Sequence, residues 1–301
     1  MRRQIELDSI MNSEHYHLLS DVRSVAPSHK QAEALRVRLQ YALASDEFYL
    51  EYQPQWNVHG HIQGAELLIR WQHPRYGVLL PERFMDALMS CQLGPALFGW
   101  LAERALPLLQ RLRRLQRLRS EITPDFSLSL ALPLSLAANE AVLAPFTHLL
   151  SQYGLTPAAI ALIWQGSDDL LSNPACLAGM HALREQGYGA ALAEYGEGYR
   201  QLAALSQLPL DRMHIPPGVI GLLPHPDAMV MVQLMLRLAD KMAMRCCAQR
   251  VDSVQQFECL SAAGCRDFQG SYLFRPLSAD QLAVVCHILS DADEEESPSG
   301  G

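Results

Sequence analysis

The residues of this chain that could carry chemistry lie where its strand-like segments end. Glu66 and Arg70 share one such segment, and Glu194, His214 and Asp252 stand at or beside the ends of later ones. Side chains of these types can bind cations or ligands when they converge on one site. The strand-end positions are Gln53, Glu66, Arg70, Ala131, Pro133, Leu162, Ile163, Ala193, Glu194, His214, Gln249, Asp252 and Gln269. Few of these residues are carboxylates.

The elements that position these residues alternate between strand and helix patterns. Apolar, strand-like segments occupy 48–54, 62–71, 126–133, 159–164, 188–195, 211–215, 244–251 and 265–270. Helix-like stretches such as 81–91 and 141–154 lie between most of them. Repeated β-then-α units with apolar strands predict a parallel sheet covered by helices, and this number of units is typical of a closed barrel. We therefore expect an α/β fold, a (β/α)8 TIM-like barrel.

Length and charge limit the class of protein. The 301 residues are 49% hydrophobic, which is enough for a sizeable core. Because 24 Lys and Arg face 32 Asp and Glu, the net charge is −8, and we expect no direct nucleic-acid binding. No apolar stretch reaches the roughly 18 residues of a membrane span, and the first residues lack an apolar signal core. The sequence predicts a soluble, cytoplasmic protein.

The cysteines and histidines indicate no metal site. Seven cysteines are scattered along the chain, and none forms a C-x-x-C pair. Such thiols usually behave as small core residues in a reducing compartment. His15, His17, His73 and His214 are also scattered, although His214 together with Glu194 remains an alternative ligand pair. We expect neither a metal nor a cofactor.

The two ends of the chain differ from its middle. Residues 1–28 show no clear period, whereas 29–46 have apolar residues at helical spacing and predict a lead-in helix. Residues 291–301 are acidic and end in Ser, Pro and Gly, which predicts a disordered tail. One domain is expected over 29–290, because no linker interrupts it.

An arginine-rich helix is predicted at 108–120. Leucines form one stripe there, and five arginines lie between 111 and 119. Two interpretations remain open: an outer helix with a solvated face, or a surface that binds an acidic protein partner.

Several segments together resemble one family. YLEYQP and GAELLIRWQHP are similar to the opening motifs of the EAL family of cyclic di-GMP phosphodiesterases. Four later segments resemble its remaining motifs in the same order: AEYGEGYRQL (193–202), LPLDRMHI (208–215), AQRVDS (248–253) and GCRDFQGSYLFRP (264–276). The resemblance covers about residues 33–290 and implies a barrel of the EAL type.

In the family this chain resembles, two divalent cations hold the water that opens the cyclic dinucleotide. The resemblance places one metal ligand on Glu66 and replaces most of the others. The replaced positions are Ala131, Leu162 or Ile163, Ala193, Glu194, His214 and Gln249, with Asp252 at the end of its motif. Because alkyl groups cannot bind Mg²⁺ or Mn²⁺, we expect a degenerate member without phosphodiesterase activity.

Cyclic di-GMP could still bind without metal. The resemblance implies ligand contacts by Gln53, Glu66, Arg70 and Gln269, with Arg70 on a phosphate. Arg70 could instead pair with Glu66 or a backbone carbonyl, and the glutamines could satisfy strand ends.

Three functions therefore remain. The first is a non-catalytic regulator of motility, biofilm or virulence that acts through a protein partner. The second is a metal-independent cyclic di-GMP receptor. The third is a weak residual phosphodiesterase that uses Glu66, Glu194, Asp252 and His214. The resemblance also implies a homodimer, through a face beside the 193–202 loop.

Overall fold

A computed structural model describes residues 29–118, 126–138, 143–165, 173–193 and 207–286. The expected N-terminal segment 1–28, the acidic tail 291–301 and Glu194 lie outside these residues. Two compact units divide the described chain. The first contains 29–49 and Ile69–Leu101, and the second contains Leu50–Leu68 and the described residues from Ala102 onward.

Strands and helices alternate along most of the chain. The strands are β1 Phe48–Asn57, β2 Ile62–His73, β3 Gly77–Leu79, β4 Ser127–Pro133, β5 Ile160–Gln165, β6 Gly189–Leu192, β7 Arg212–Ile215, β8 Arg245–Ala248 and β9 Asp267–Gln269. The α-helices are α1 His29–Ala44, α2 Met85–Ser90, α3 Gly94–Leu118, α4 Ala144–Gln152, α5 Pro174–Glu185, α6 Pro217–Ile220, α7 Pro226–Lys241 and α8 Val254–Ala262. Residues 279–286 are also helical, and 3₁₀ turns occur at Pro81–Arg83, Leu134–Ala138 and Pro157–Ala159.

The sheet confirms the expected α/β TIM-like barrel. Its strand order is β6-β5-β4-β2-β1-β9-β8-β7, and β3 pairs with β2. The two end strands meet where the Asp211 amide donates to the carbonyl of Ala190 at 3.1 Å. The barrel is therefore nearly closed.

Two strands depart from the expected all-parallel sheet. β3 runs antiparallel to β2, and β1 runs antiparallel to β9, with Gln55 opposite Gln269. For β1 the reason is local, because this strand is joined to β2 by a short turn instead of a helical crossover. Asn57 closes that turn: its amide donates to the carbonyl of His61, and its Oδ1 accepts from the amides of His59 and His61.

The two faces of strand β4 differ in the second unit: one packs in the hydrophobic core, and the other faces the inside of the barrel. Leu128, Leu130 and Leu132 are almost completely buried on one face. Ser129 and Ala131 lie on the other face, because successive side chains of a strand point in opposite directions. The register pairs Glu66 of β2 with Ser129, so these two residues share the inner face of the barrel.

Aromatic residues form the core of the first unit. Phe48 stacks on Trp71 at 5.2 Å between ring centroids and meets Phe84 edge-on at 5.2 Å. Glu47 accepts hydrogen bonds from Arg38 of α1 at 2.6 Å and from the indole of Trp71 at 2.9 Å. This carboxylate therefore ties α1 to the strands of the same unit.

The arginine-rich helix forms the end of α3, and its arginines are not equivalent. Arg113 is buried, and its Nε donates to the carbonyl of Phe126 at 2.7 Å. Arg111 and Arg114 are exposed. The expectation of arginines on a solvated face is thus met at the two exposed positions and not at Arg113, which satisfies a backbone carbonyl next to β4. The described helices include none with the length and apolarity needed to cross a bilayer.

Candidate functional site

A chain of hydrogen bonds links Glu66 to three neighbouring side chains inside the barrel. The amide of Gln269 donates to Glu66 Oε2 at 2.5 Å, and its own oxygen accepts from the amide of Gln55 at 3.0 Å. The Ser129 hydroxyl donates to Gln55 Oε1 at 3.4 Å. Strands β1, β2, β4 and β9 each supply one member of this Glu66 network.

The facing strands present alkyl groups. Ala131 of β4 pairs with Ile163 of β5, and Ile163 pairs with Ala191 of β6. Paired residues of parallel strands share a face, so Ile163 lies on the inner face with Ala131 and Ser129. The register thus places Ile163, and not Leu162, on the inner face. Ala193 follows β6, and its amide donates to the carbonyl of Trp164.

His214 is buried inside the barrel and is 3% exposed. It pairs in register with Cys247, which in turn pairs with Asp267. Burial, with a smaller contribution from the charge of Arg212, lowers the pKa of His214 to about 4. The imidazole is therefore neutral at physiological pH. Glu194, which forms the alternative ligand pair with His214, lies outside the described residues.

Asp252 organises a loop. Its Oδ1 accepts from the amide of Ser271 at 3.0 Å and from the hydroxyl of Ser271 at 2.7 Å. Burial alone would raise the pKa of Asp252, but the hydrogen bonds from Ser271 outweigh it, and the pKa is lowered. Gln249 is half-buried just after β8. The carboxylate of Asp252 thus connects the loops that follow β8 and β9.

The four candidate nucleotide contacts do not act alike. Gln269 and Glu66 bind one another, whereas the amide of Gln53 donates to the carbonyls of Phe274 at 2.8 Å and Gly270 at 3.5 Å. Arg70 belongs to the first unit, where its Nη1 donates to the carbonyl of Ile69 at 3.2 Å. These contacts match the two alternatives to nucleotide binding: Gln53 satisfies carbonyls near a strand end, and Arg70 has a backbone carbonyl as partner.

Sequence reasoning missed Gln55 and Ser129. Ser129 lies inside a strand and Gln55 lies one residue beyond the predicted strand 48–54, so neither is a strand-end residue of the predicted elements. The available signal was alternation: in Ser127–Pro133 polar and apolar residues alternate, which places Ser129 on the inner face. Within the described parts of the chain, no three His, Cys, Asp or Glu side chains are grouped to hold a metal ion. Glu66 and Asp252 supply carboxylates to separate hydrogen-bond networks.

Known proteins resemble this chain in sequence and in fold. It is 26% identical over 246 residues to the bifunctional diguanylate cyclase/cyclic di-GMP phosphodiesterase MucR of Pseudomonas aeruginosa. The aligned region covers 81% of this chain and 35% of MucR. This chain is 29% identical over 271 residues to an uncharacterised protein of Mycobacterium tuberculosis, which covers 87% of this chain and 84% of that protein. The chain thus spans about a third of the length of MucR.

A solved structure of the MucR phosphodiesterase in complex with cyclic di-GMP matches with a TM-score of 0.70 at 27% identity, covering 82% of this chain and 99% of that one. The EAL domain family matches residues 36–276, which is most of the chain. The family resemblance predicted from the sequence is confirmed. The chain belongs to the EAL domain family.

Proposed function

We propose that this chain is a non-catalytic EAL-like regulator that acts in the cytoplasm by binding another protein. In this proposal the metal-dependent phosphodiesterase site is lost, and the regulated process is bacterial motility, biofilm formation or virulence. Neither nucleic acid nor a metal cofactor takes part. The same regulatory function is proposed for any longer protein that contains this chain.

The observation that carries the proposal is the alkyl lining formed by Ala131 and Ile163. These residues occupy two positions where the family resemblance implies oxygen ligands, and their register sets them side by side. Mg²⁺ and Mn²⁺ require several oxygen ligands close together, which methyl and methylene groups cannot supply. Residues that pack have replaced residues that would coordinate, so the donor set does not fit a pair of divalent cations.

The state of Glu66 supports the same conclusion. Its carboxylate accepts a hydrogen bond from the Gln269 amide, and the amide of Gln55 holds Gln269 in turn. A neutral amide satisfies the oxygen that the family resemblance assigns to a cation. The Glu66 network therefore stabilises the carboxylate without a metal.

Enzyme assays test the loss of activity. The full chain, incubated with cyclic di-GMP and Mg²⁺ or Mn²⁺, should release no linear dinucleotide above background. Glu66→Ala and the exposed-site control Glu258→Ala should behave like the wild-type chain. The proposal fails if linear product forms with Mn²⁺, persists in Glu258→Ala and disappears in Glu66→Ala, because that result would establish residual phosphodiesterase activity.

The partner surface is assigned to the exposed arginines of α3. Arg111 and Arg114 present guanidinium groups that can bind carboxylates of an acidic partner. Cross-linking in native cells followed by mass spectrometry should identify a stoichiometric protein partner. The Arg111→Glu/Arg114→Glu variant should lose it, and Arg237→Glu, which alters an exposed arginine of α7, should retain it. Equal capture by all three proteins contradicts the assigned surface.

We also infer a homodimer from the family resemblance. The loop implied to form its interface, 193–202, lies almost wholly outside the described residues. Light scattering of the purified full chain should give twice the monomer mass, and a monomer at micromolar concentration would contradict the inference.

A metal-independent receptor for cyclic di-GMP is the second candidate. It is favoured by the likeness to the MucR phosphodiesterase structure, which is a cyclic di-GMP complex. Calorimetry with cyclic di-GMP, with and without Mg²⁺, separates the two functions. Micromolar binding that is lost in Arg70→Ala and kept in Arg75→Ala would favour the receptor over the protein-binding regulator.

A further inference from the structure

A cavity opens at the end of the barrel opposite to the carboxyl ends of its parallel strands. Its lining includes the first residues of four strands: Ser127 of β4, Arg212 of β7, Arg245 of β8 and Asp267 of β9. In these strands most candidate site residues lie at or beyond the carboxyl ends, whereas His214 also lines the cavity. The cavity therefore lies at the amino-terminal side of the barrel. It is also lined by Gln55, Trp56, Gln63, His214 and Cys247.

Three residues that line this cavity have buried nitrogens without hydrogen-bond partners. Among the described residues, nothing accepts from Arg212 Nε or Trp56 Nε1, and nothing bonds to His214 Nδ1. A buried polar group without a partner costs about 1–3 kcal/mol, so native structures rarely leave one unsatisfied without a ligand or water. His214 is 3% exposed, which keeps this nitrogen away from bulk solvent.

The nearest carboxylate does not satisfy Arg212. Asp211 Oδ2 lies 4.0 Å from Arg212 Nε, beyond hydrogen-bond distance. Asp211 is occupied elsewhere, because its Oδ1 accepts from the Ala190 amide at 2.6 Å and its Oδ2 faces Arg184 at 3.6 Å. The Nε of Arg212 is thus available to a further acceptor.

The charges that line the cavity leave a positive excess. Arg212 and Arg245 contribute two cations, and Asp267 contributes one carboxylate, which already pairs with Arg245 at 3.3 Å. His214 adds no charge, because it is neutral at physiological pH. Ser127 and Gln63 supply a hydroxyl and an amide to the same wall. Arg245, with 46% of its side chain exposed, lies where the cavity reaches solvent.

We propose that this cavity binds a small inorganic oxyanion of the size of phosphate. Arginine matches the geometry of such an anion, and a neutral histidine can donate its ring N–H to it. The anion accepts from Arg212 and Arg245, and it supplies the missing partner of His214. The cavity is thus a binding site at the amino-terminal end of the barrel, and Gln55 of the Glu66 network forms part of its wall.

Calorimetry with inorganic phosphate tests the proposal on the full chain, in a chloride buffer of constant ionic strength. One phosphate should bind per chain, and Arg212→Gln should weaken binding at least tenfold. Because Arg212→Gln removes a buried group and could impair folding, Arg245→Gln at a half-exposed position provides a second variant with the same expected effect. Arg266→Gln removes an exposed arginine outside the cavity and should leave the affinity unchanged.

Three results would overturn the proposal. The first is the absence of saturable phosphate binding, which would leave water as the partner of the buried nitrogens. The second is equal binding by wild type, Arg245→Gln and Arg266→Gln, which would indicate nonspecific attraction. The third comes from a parallel titration with glycerol phosphate: binding of this monoester without binding of inorganic phosphate would exclude an inorganic ligand. Broadening of the phosphorus-31 NMR line of phosphate, with the same stoichiometry as in calorimetry, would support the proposal.

Discussion

The side-chain amide of Gln269 donates to the carboxylate of Glu66 at 2.5 Å, across a sequence separation of 203 residues. Gln55 and Ser129 continue the chain of hydrogen bonds, each one donating to the next. A carboxylate that the family resemblance assigns to a metal is thus held by an amide. Glu66, where the family resemblance implies a metal ligand, therefore supports the structure, and the contribution of its hydrogen bond to stability can be measured.

Gln269→Leu should destabilise the protein by about 1–3 kcal/mol. The substitution removes the donor to Glu66 and the acceptor for the Gln55 amide, and breaking bonds of buried polar groups costs energy in this range. Chemical denaturation of the purified chain measures the free energy of unfolding. Gln255→Leu at an exposed position of α8 is the matched control and should change stability little. Equal effects at the two positions would show that the Glu66 network contributes nothing.

Stability should fall as the pH drops from about 6.5 to about 4, in part because of His214. Burial lowers its pKa in the folded state to about 4, while the unfolded chain has the ordinary value of 6.5. The unfolded state therefore takes up its proton first, and the native state loses stability on acidification. A shift of this size corresponds to roughly 3 kcal/mol.

Urea denaturation at a series of pH values measures this loss. His214→Gln should flatten the dependence, whereas the exposed-site control His181→Gln should leave it unchanged. His73, whose pKa burial also lowers, remains in both variants and contributes the same sign. A steep dependence that survives in His214→Gln would contradict the assignment.

Gly270→Ala should be strongly destabilising, by about 3 kcal/mol or more. A Cβ at this position would lie 2.2 Å from the carbonyl oxygen and 2.3 Å from the amide nitrogen of Val251. The Val251 amide donates to the carbonyl of Gln269, so the clash would disturb the strand that positions Gln269. Thermal melting compares this variant with Gly99→Ala, where a Cβ meets nothing within 4 Å and a stabilising effect is expected. Similar melting temperatures for wild type and Gly270→Ala would refute the close approach.

Arg113→Leu and Arg111→Leu should differ although the two arginines share one helix. Arg113 donates to the carbonyl of Phe126 from a buried position, so its loss should cost about 2 kcal/mol. Arg111 is exposed, and its loss should change stability by less than about 0.5 kcal/mol. Denaturant titration of both variants separates the structural arginine from the one assigned to partner binding. A small loss of unfolding free energy in Arg113→Leu would show that Arg113 contributes no more to stability than the surface arginines.

Much of the barrel could be predicted because its strands carry their signal locally. Apolar segments such as 126–133 and 159–164 predicted strands that the structure places at Ser127–Pro133 and Ile160–Gln165. The antiparallel direction of β1 was not predicted, because the segment looks like any other strand until its turn into β2 is known. Helix α3 begins at Gly94, well before the arginine-rich stretch that marked it in the sequence.

The sequence alone determined which chemical groups are present: a single carboxylate at Glu66 in its motif, alkyl groups at Ala131 and Ile163, and a surplus of acidic over basic residues. Only the tertiary structure decided which groups meet. Gln269 reaches Glu66, Ile163 faces inward where Leu162 does not, and Arg113 turns toward Phe126. The physical reason is that these contacts depend on the register between strands and helices distant in sequence, and local residue patterns carry no information about that register.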